Sequence, residues 1–190
     1  MLVLEDLVDV GVGDQVAGAT SNQARVAVDR MADLHAAWWD SDELTEGGRL
    51  AWVPRLDSTL AQARCPIIRA CWEPFVAVYG DRVGPRAVEV GDWMQQHCDE
   101  LYRKAAVGPV TLAHGDYRLD NLFFHADEPE RADGFALVDW QMPVAASGVV
   151  DLCYFLAGSL PVEVRRGAGG RAREPLRRSP VRGRRRGRPG

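Results

Sequence analysis

Apolar residues recur along this chain in two rhythms. Between Thr20 and Trp39, the residues Ala24, Val28, Met31, Leu34, His35 and Trp38 return at three- and four-residue steps, which predicts a helix over 21–39. Thr20 with Gln23 three residues on makes a capping box at its start, and Asp40-Ser41-Asp42 stops it. Residues 40–57 read as loop with one apolar patch, Leu50-Ala51-Trp52-Val53, closed by Pro54. A short helix is expected over 57–64, ended by Pro66, and another over 72–79. Pro85 suits the first turn of a long helix. Val88, Trp93, His97, Leu101 and Tyr102 give that helix an apolar face as far as Ala106, and Gly108-Pro109 breaks it.

The second rhythm is one of short apolar runs between polar stretches. Leu2-Val3-Leu4, Val110–Ala113, Leu122–Phe124 and Phe135–Val138 read as strands. Between them lie a Gly/Asp-rich linker from Asp9 to Gly18, a polar loop at 114–120 and a polar turn from Asp127 to Gly134. Ser147 and Gly148 open an apolar helix from Val149 to Ala157, with Asp151 in its first turn. The fold class this implies is α+β, mainly helical, with a small strand element around one polar loop.

The chain has 190 residues, 46% of them hydrophobic, enough to bury one core. No apolar run approaches ~18 residues, so no membrane span is expected. The start turns acidic at Glu5-Asp6 with no basic stretch before it, unlike a secretory signal. Cys65, Cys71, Cys98 and Cys153 are scattered without a Cys-x-x-Cys pair. That pattern argues against structural zinc and for reduced thiols in a cytoplasmic setting.

The net charge of −4 conceals two unlike segments. Residues 1–164 carry 26 acids and 12 bases, whereas 165–190 carry one acid, Glu174, and 11 arginines. Arg, Gly, Ala and Pro make up 22 of those last 26 residues, with no apolar periodicity, so a disordered tail is expected there. One reading is a basic tail for nucleic acid or acidic lipid. The favoured one is a frameshift in GC-rich DNA, because these four residue types are those of GC-only codons. No folded nucleic-acid reader accompanies the arginines, so nucleic-acid binding ranks last among the functions considered.

Chemistry concentrates in His114-Gly115-Asp116-Tyr117-Arg118-Leu119-Asp120-Asn121, followed by Asp139-Trp140-Gln141. Asp116 follows a strand, Asn121 stands five residues later, and Asp139 ends the strand after the next turn. Phosphoryl transfer needs a carboxylate to receive a hydroxyl proton and oxygen ligands for the magnesium that neutralises phosphate charge. Asp and Asn also favour turns at strand ends for local reasons, and that is the bland alternative. Arg118 could meet a phosphate or pair with a nearby acid. Asp120 reads as a solvated loop acid. Packing is favoured over substrate stacking for Trp38 and Trp39, and His35 reads as a satisfied core histidine.

The phrase from Leu112 to Phe123 resembles the catalytic loop of the aminoglycoside phosphotransferase and choline or ecdysteroid kinase-like superfamily, with His-Gly-Asp at 114–116. Leu137-Val138-Asp139-Trp140-Gln141 resembles its metal-binding segment, and Leu2–Leu7 its adenine-binding hinge. Asp14-Gln15 and Leu34-His35-Ala36-Ala37-Trp38-Trp39 are similar to the stretch after the hinge. The resemblance covers about residues 2–164. It implies the C-terminal lobe of a protein-kinase-like fold, ATP and Mg2+ as co-substrate and metal, and a small-molecule alcohol as acceptor. It implies Asp116 as catalytic base, Asn121 and Asp139 as metal ligands, and Glu5 and Leu7 at the nucleotide. His114 would hold the loop, and Asp151 would cap or anchor the following helix.

The family's phosphate-gripping lobe precedes the hinge, and here the hinge lies at the first residues. Lys104 is the only lysine and falls on a later helix, and Gly11-Val12-Gly13 lacks a glycine at 16. The N-terminal lobe is therefore expected to be missing, with magnesium–ATP bound at best at millimolar level and no measurable transfer. A non-catalytic fragment or binding module is the alternative. Helices without their partners would expose apolar surface and favour self-association or aggregation. The acceptor stays open among aminoglycoside, choline-like, sugar and steroid-like alcohols.

Overall fold

A computed structural model describes residues 7, 9–125 and 134–171 of the chain. The expected strand at Leu2–Leu4, the turn from Asp127 and the tail past Arg171 lie outside them.

The first helix, α1 (Ser21–Ala37), forms where the apolar spacing places it. Thr20 accepts from the Gln23 amide, and Gln23 returns a bond to the Thr20 amide at 3.0 Å, so two otherwise unpaired donors are satisfied. Its inner face carries Ala24, Ala27, Met31 and His35. Trp38 ends half-buried against Leu44 and Val53, whereas Trp39 is exposed.

The middle of the chain departs from the expected boundaries at two prolines and a histidine. Pro66 does not end a helix. After a single turn, α2 (Thr59–Gln62), it falls in the first turn of α3 (Arg64–Val83), where its missing N–H has no intrahelical partner to lose. Helix α3 then continues through Pro74. The long helix expected from Pro85 to Ala106 is two helices, α4 (Pro85–Gln96) and α5 (Cys98–Ala105). His97 leaves helical geometry at φ −104° and ψ 17°, and its Nδ1 bonds the Trp93 carbonyl at 2.7 Å.

This break brings Cys98 to Cys65, and the two form a disulfide with Cα atoms 5.7 Å apart. The expectation of four reduced thiols is thereby corrected: only Cys71 and Cys153 are free. Spacing along the chain conceals the pair because it forms only when the α3–α4 hairpin returns on itself. Trp72 packs closely on Gly91 of α4, where a Cβ would stand 1.9 Å from the indole. Beyond that seam the hairpin is thinly covered. Ile67, Phe75, Val78, Trp93 and Met94 are exposed, and Cys65 is the only buried residue of either helix.

Two small antiparallel sheets frame the polar loop. In one, β1 (Val10–Val12), β3 (Leu122–His125) and β4 (Ala136–Leu137) lie in the order β1-β3-β4, with Leu122 opposite Leu137. In the other, β2 (Thr111–Ala113) pairs with β5 (Val144–Ala146). Strand β1 sits inside the expected linker, and β5 falls where no strand is expected. Three residues carry too little periodicity to stand out, and pairing decides their conformation. Helix α6 (Val149–Gly158) packs on α1 through Phe155, and α7 (Val162–Arg171) follows. Helix α7 crosses the compositional boundary at 164/165. There Arg165 donates to the carbonyls of Leu156 and Ala157, both at 3.4 Å, at the end of α6.

The main core joins Val26, Ala27 and Met31 of α1 to Tyr117, Leu119, Leu122, Phe124 and Phe155. It thus builds directly under the loop 114–121. Among the described residues no helix is long and apolar enough to cross a membrane.

Candidate active site

Strand β2 ends at Ala113, and the chain must then turn through the polar loop while buried. His114 is fully buried and Gly115 takes φ +80°. A Cβ at 115 would lie 2.0 Å from the Met142 carbonyl oxygen, so only glycine fits this turn. Two amides of the turn find an unexpected acceptor. Asp151 Oδ2 takes the His114 N–H at 2.8 Å, and Oδ1 takes the Gly115 N–H at 2.9 Å. His35 Nε2 donates to Oδ2 at 3.1 Å. Gly148 makes room for that imidazole, since a Cβ there would stand 2.5 Å from Nδ1. Asp151 thus anchors the loop. The sequence places it in the first turn of α6, and its side chain turns away from its own helix.

The His114 ring completes the support. Its Nε2 bonds the Val138 carbonyl at 2.9 Å, and its Nδ1 accepts the Asp116 N–H at 3.3 Å. One neutral tautomer, with hydrogen on Nε2, satisfies both contacts. Tyr117 is buried beneath, edge-on to His114 and Phe155, and its hydroxyl donates to the Ala27 carbonyl at 2.7 Å. Burial first, and Asp151 second, push this phenol far above the ordinary tyrosine range.

Asp116 and Asn121 meet directly. Asn121 Nδ2 donates to the Asp116 carbonyl at 2.9 Å and to Asp116 Oδ2 at 3.0 Å. Both partners are acceptors, so the amide can point only one way, with Oδ1 turned from Asp116. A buried Asn with its nitrogen committed offers a carbonyl oxygen, a hard ligand suited to magnesium. Asp139 stands two residues past the end of β4 at Leu137. Its neighbour Val138 donates to the Asn121 carbonyl at 3.0 Å and accepts from His114, so the backbone beside Asp139 is tied to both ends of the loop. Asp139 is exposed and takes φ +64°, a left-handed conformation that few non-glycine residues adopt. Its Oδ2 accepts from Gln141 at 3.2 Å. Among the described residues no group of three His, Cys, Asp or Glu side chains could hold a metal. An Asn–Asp pair falls outside that pattern, and magnesium commonly takes only one or two carboxylates, with waters and phosphates completing its shell.

Around Asp116 lie two more polar groups. Arg118 pairs with Asp120 and holds that exposed carboxyl below its usual range. Of the two partners considered for Arg118, the nearby acid is the one it meets in this structure. Tyr154, from α6 three residues past Asp151, stands near Asp116 and Arg118. Burial, then the neighbouring Asp116 carboxylate, raise its phenol above the ordinary tyrosine range. The sequence gives no direct sign of Tyr154, although its three-residue step from Asp151 puts both on one helix face. Gln15 is a further strut. Its Oε1 accepts from the Leu119 amide at 2.8 Å and the Ser159 hydroxyl at 3.2 Å, tying the loop to the end of α6.

Of the other expected site residues, Glu5 lies outside the described residues, and Leu7 is half-buried. Lys104 pairs with Glu100 at 2.6 Å on α5. A cavity of about 830 Å³ lies between α1 and the α6–α7 segment, lined by Val28, Leu156 and Val164 among others, and contains none of Asp116, Asn121 and Asp139.

The model of the ecdysteroid kinase-like family matches residues 1–169, and the chain belongs to that family. Two curated relatives match a shorter stretch. Acyl-CoA dehydrogenase family member 10 of Mus musculus is 36% identical over 75 residues, covering 37% of this chain and 6% of that protein. Probable acyl-CoA dehydrogenase IBR3 of Arabidopsis thaliana is 31% identical over 71 residues, covering 37% of this chain and 8% of that protein. The chain therefore spans less than a tenth of either relative. No solved structure matches.

Proposed function

We propose that this chain carries the catalytic loop of an ATP- and magnesium-dependent phosphotransferase acting on the hydroxyl of a small molecule. The observation that carries the reading is the pair of hydrogen bonds from Asn121 Nδ2 to Asp116, which fixes the carboxylate beside the amide and leaves the amide oxygen uncommitted to it, at a loop anchored from beneath. Family membership supports a kinase-like phosphotransferase.

Asp116 receives the proton of the acceptor hydroxyl and orients its oxygen. Asn121 Oδ1 and the Asp139 carboxylate would hold magnesium, which when bound neutralises the phosphate charge that develops during transfer. His114 and Asp151 fix the loop backbone so that Asp116 needs no reordering. Radiolabelled transfer from magnesium–ATP to a panel of small alcohols tests this. Asp116→Ala should abolish transfer while leaving nucleotide affinity intact, and unchanged transfer in the variant would refute the assignment.

A second reading rests on Lys104. The single lysine of the chain is paired with Glu100 on α5 and is not offered to a phosphate. On that reading the chain binds magnesium–ATP weakly and acts as a non-catalytic module. Isothermal titration separates the two, since micromolar affinity counts against the weaker one.

A further inference from the structure

We propose that one face of the α3–α4 hairpin is the contact surface for a second copy of this chain, the two hairpins stacking face to face as four helices. The inference is independent of the phosphotransferase reading and rests on how the hairpin sorts its side chains.

The seam of the hairpin runs through Cys65, Trp72 and Gly80 of α3, which meet Cys98, Gly91 and Val88 in turn. Rising numbers meet falling ones, so the two helices are antiparallel. A helix turns about 100° per residue, so Ile68, Phe75, Tyr79 and Val83 lie about 60° to one side of the seam on α3. Val90 and Met94 lie about 60–100° round in the same sense on α4. Between antiparallel helices, equal offsets bring both stripes to one side of the hairpin. Glu73, Asp81, Glu89 and Asp92 each stand one residue past a seam position and so fall on the other side, where Asp81, Glu89 and Asp92 line a groove. One face is therefore acidic, and the other is apolar and carries no carboxylate.

Three features select a second copy as the occupant of the apolar face. First, the arginine-rich segment past Arg171 finds no acid there to pair with. Second, two identical apolar faces meet without burying like charges, and stacking turns the acidic sides outward and apart. Arg82 only borders the face, with its guanidinium over the Tyr79 ring. Third, the area suffices. The six apolar side chains are each 39–49% exposed. They leave roughly 550 Å² open per copy, so two copies cover about 1,100 Å², above the ~1,000 Å² that a specific interface needs. The Cys65–Cys98 bond ties the base of the hairpin, so the face is ordered before the copies meet.

Sedimentation equilibrium of the full chain tests this, in a Cys71→Ser/Cys153→Ser background so that no disulfide joins copies. At tens of micromolar the mass should be that of two copies. Phe75→Glu and Met94→Glu, on separate helices, should each raise the dissociation constant at least about tenfold, because a carboxylate then enters an apolar contact. Val78→Glu is the control. Val78 is 67% exposed on α3 but points away from the apolar face, so pairing should persist. Hydrogen exchange of the same chain without these substitutions gives a second readout. Raising the concentration should slow exchange in residues 67–96 and leave α1 unchanged. A single copy at every concentration overturns the proposal, and so do open-ended aggregates. Val78→Glu weakening association as much as Phe75→Glu also overturns it, because the contact is then not this face. Exchange in 67–96 that ignores concentration has the same consequence. Binding of single copies to anionic lipid vesicles, with no pairing in solution, would assign the face to a membrane instead.

Discussion

Replacing Asp151 with alanine should be among the most damaging single changes to this chain. The side chain is fully buried and accepts three hydrogen bonds, from the His114 and Gly115 amides at 2.8 and 2.9 Å and from His35 Nε2 at 3.1 Å. Alanine leaves three donors without an acceptor. Each buried, unpaired donor costs roughly 1–3 kcal/mol, and partial relaxation or an entering water recovers some of that, so a loss of about 3–5 kcal/mol is expected. Against a total stability of roughly 5–15 kcal/mol, that is a large fraction. Asp151→Asn keeps the size and one acceptor oxygen but sets an NH2 group against amide donors, and should lose about half as much. Urea unfolding followed by tryptophan fluorescence gives the difference. Glu89→Ala serves as the contrast, because Glu89 pairs with Arg86 in full solvent and should change stability by less than about 0.5 kcal/mol. A loss below about 1 kcal/mol in Asp151→Ala would refute the role of this residue as the anchor of the loop.

Three further outcomes follow from the packing. The Cys65–Cys98 bond closes a loop with a sequence separation of 33, so removing it in Cys65→Ala/Cys98→Ala should cost roughly 3–4 kcal/mol on the loop-entropy account. Thiol titration of the unfolded, unreduced chain should find two thiols, and four would contradict the pairing. Gly115→Ala should destabilise strongly and displace the loop, since the new Cβ would collide with the Met142 carbonyl in a backbone conformation alanine avoids; a fold of unchanged melting temperature would contradict this. The buried Tyr117 phenol has its folded pKa raised, so it stabilises the fold fully below the unfolded value of about 10, and that stability is lost as pH climbs from there. Tyr117→Phe should flatten this alkaline loss, while giving up the bond to Ala27 at about 1 kcal/mol near neutral pH.

The strands that flank Asp116, Asn121 and Asp139 were legible because each borders an apolar run on a polar stretch. The capping box at Thr20 and the helix it starts were legible for a similar local reason. What escaped the sequence was set by partners distant in the chain. Strand β1 is a glycine-centred triplet that becomes a strand only beside β3. Pro66 reads locally as a stop, but its position in the first turn makes it a start. Cys65 and Cys98 meet only after a hairpin closes. Asp151 reads as a helix-start acid, and nothing nearby in sequence reveals that its acceptors face His114 and Gly115, more than thirty residues earlier.

The central claim is that Asn121 and Asp139 share one divalent ion beside the base Asp116. Manganese, a paramagnetic substitute for magnesium, tests it on the full chain by electron paramagnetic resonance of the unbound ion. One site should be found in the wild type, lost or weakened at least tenfold, about 1.4 kcal/mol, in both Asn121→Ala and Asp139→Asn. Binding that is absent from the wild type, or undiminished in both variants, would contradict the account.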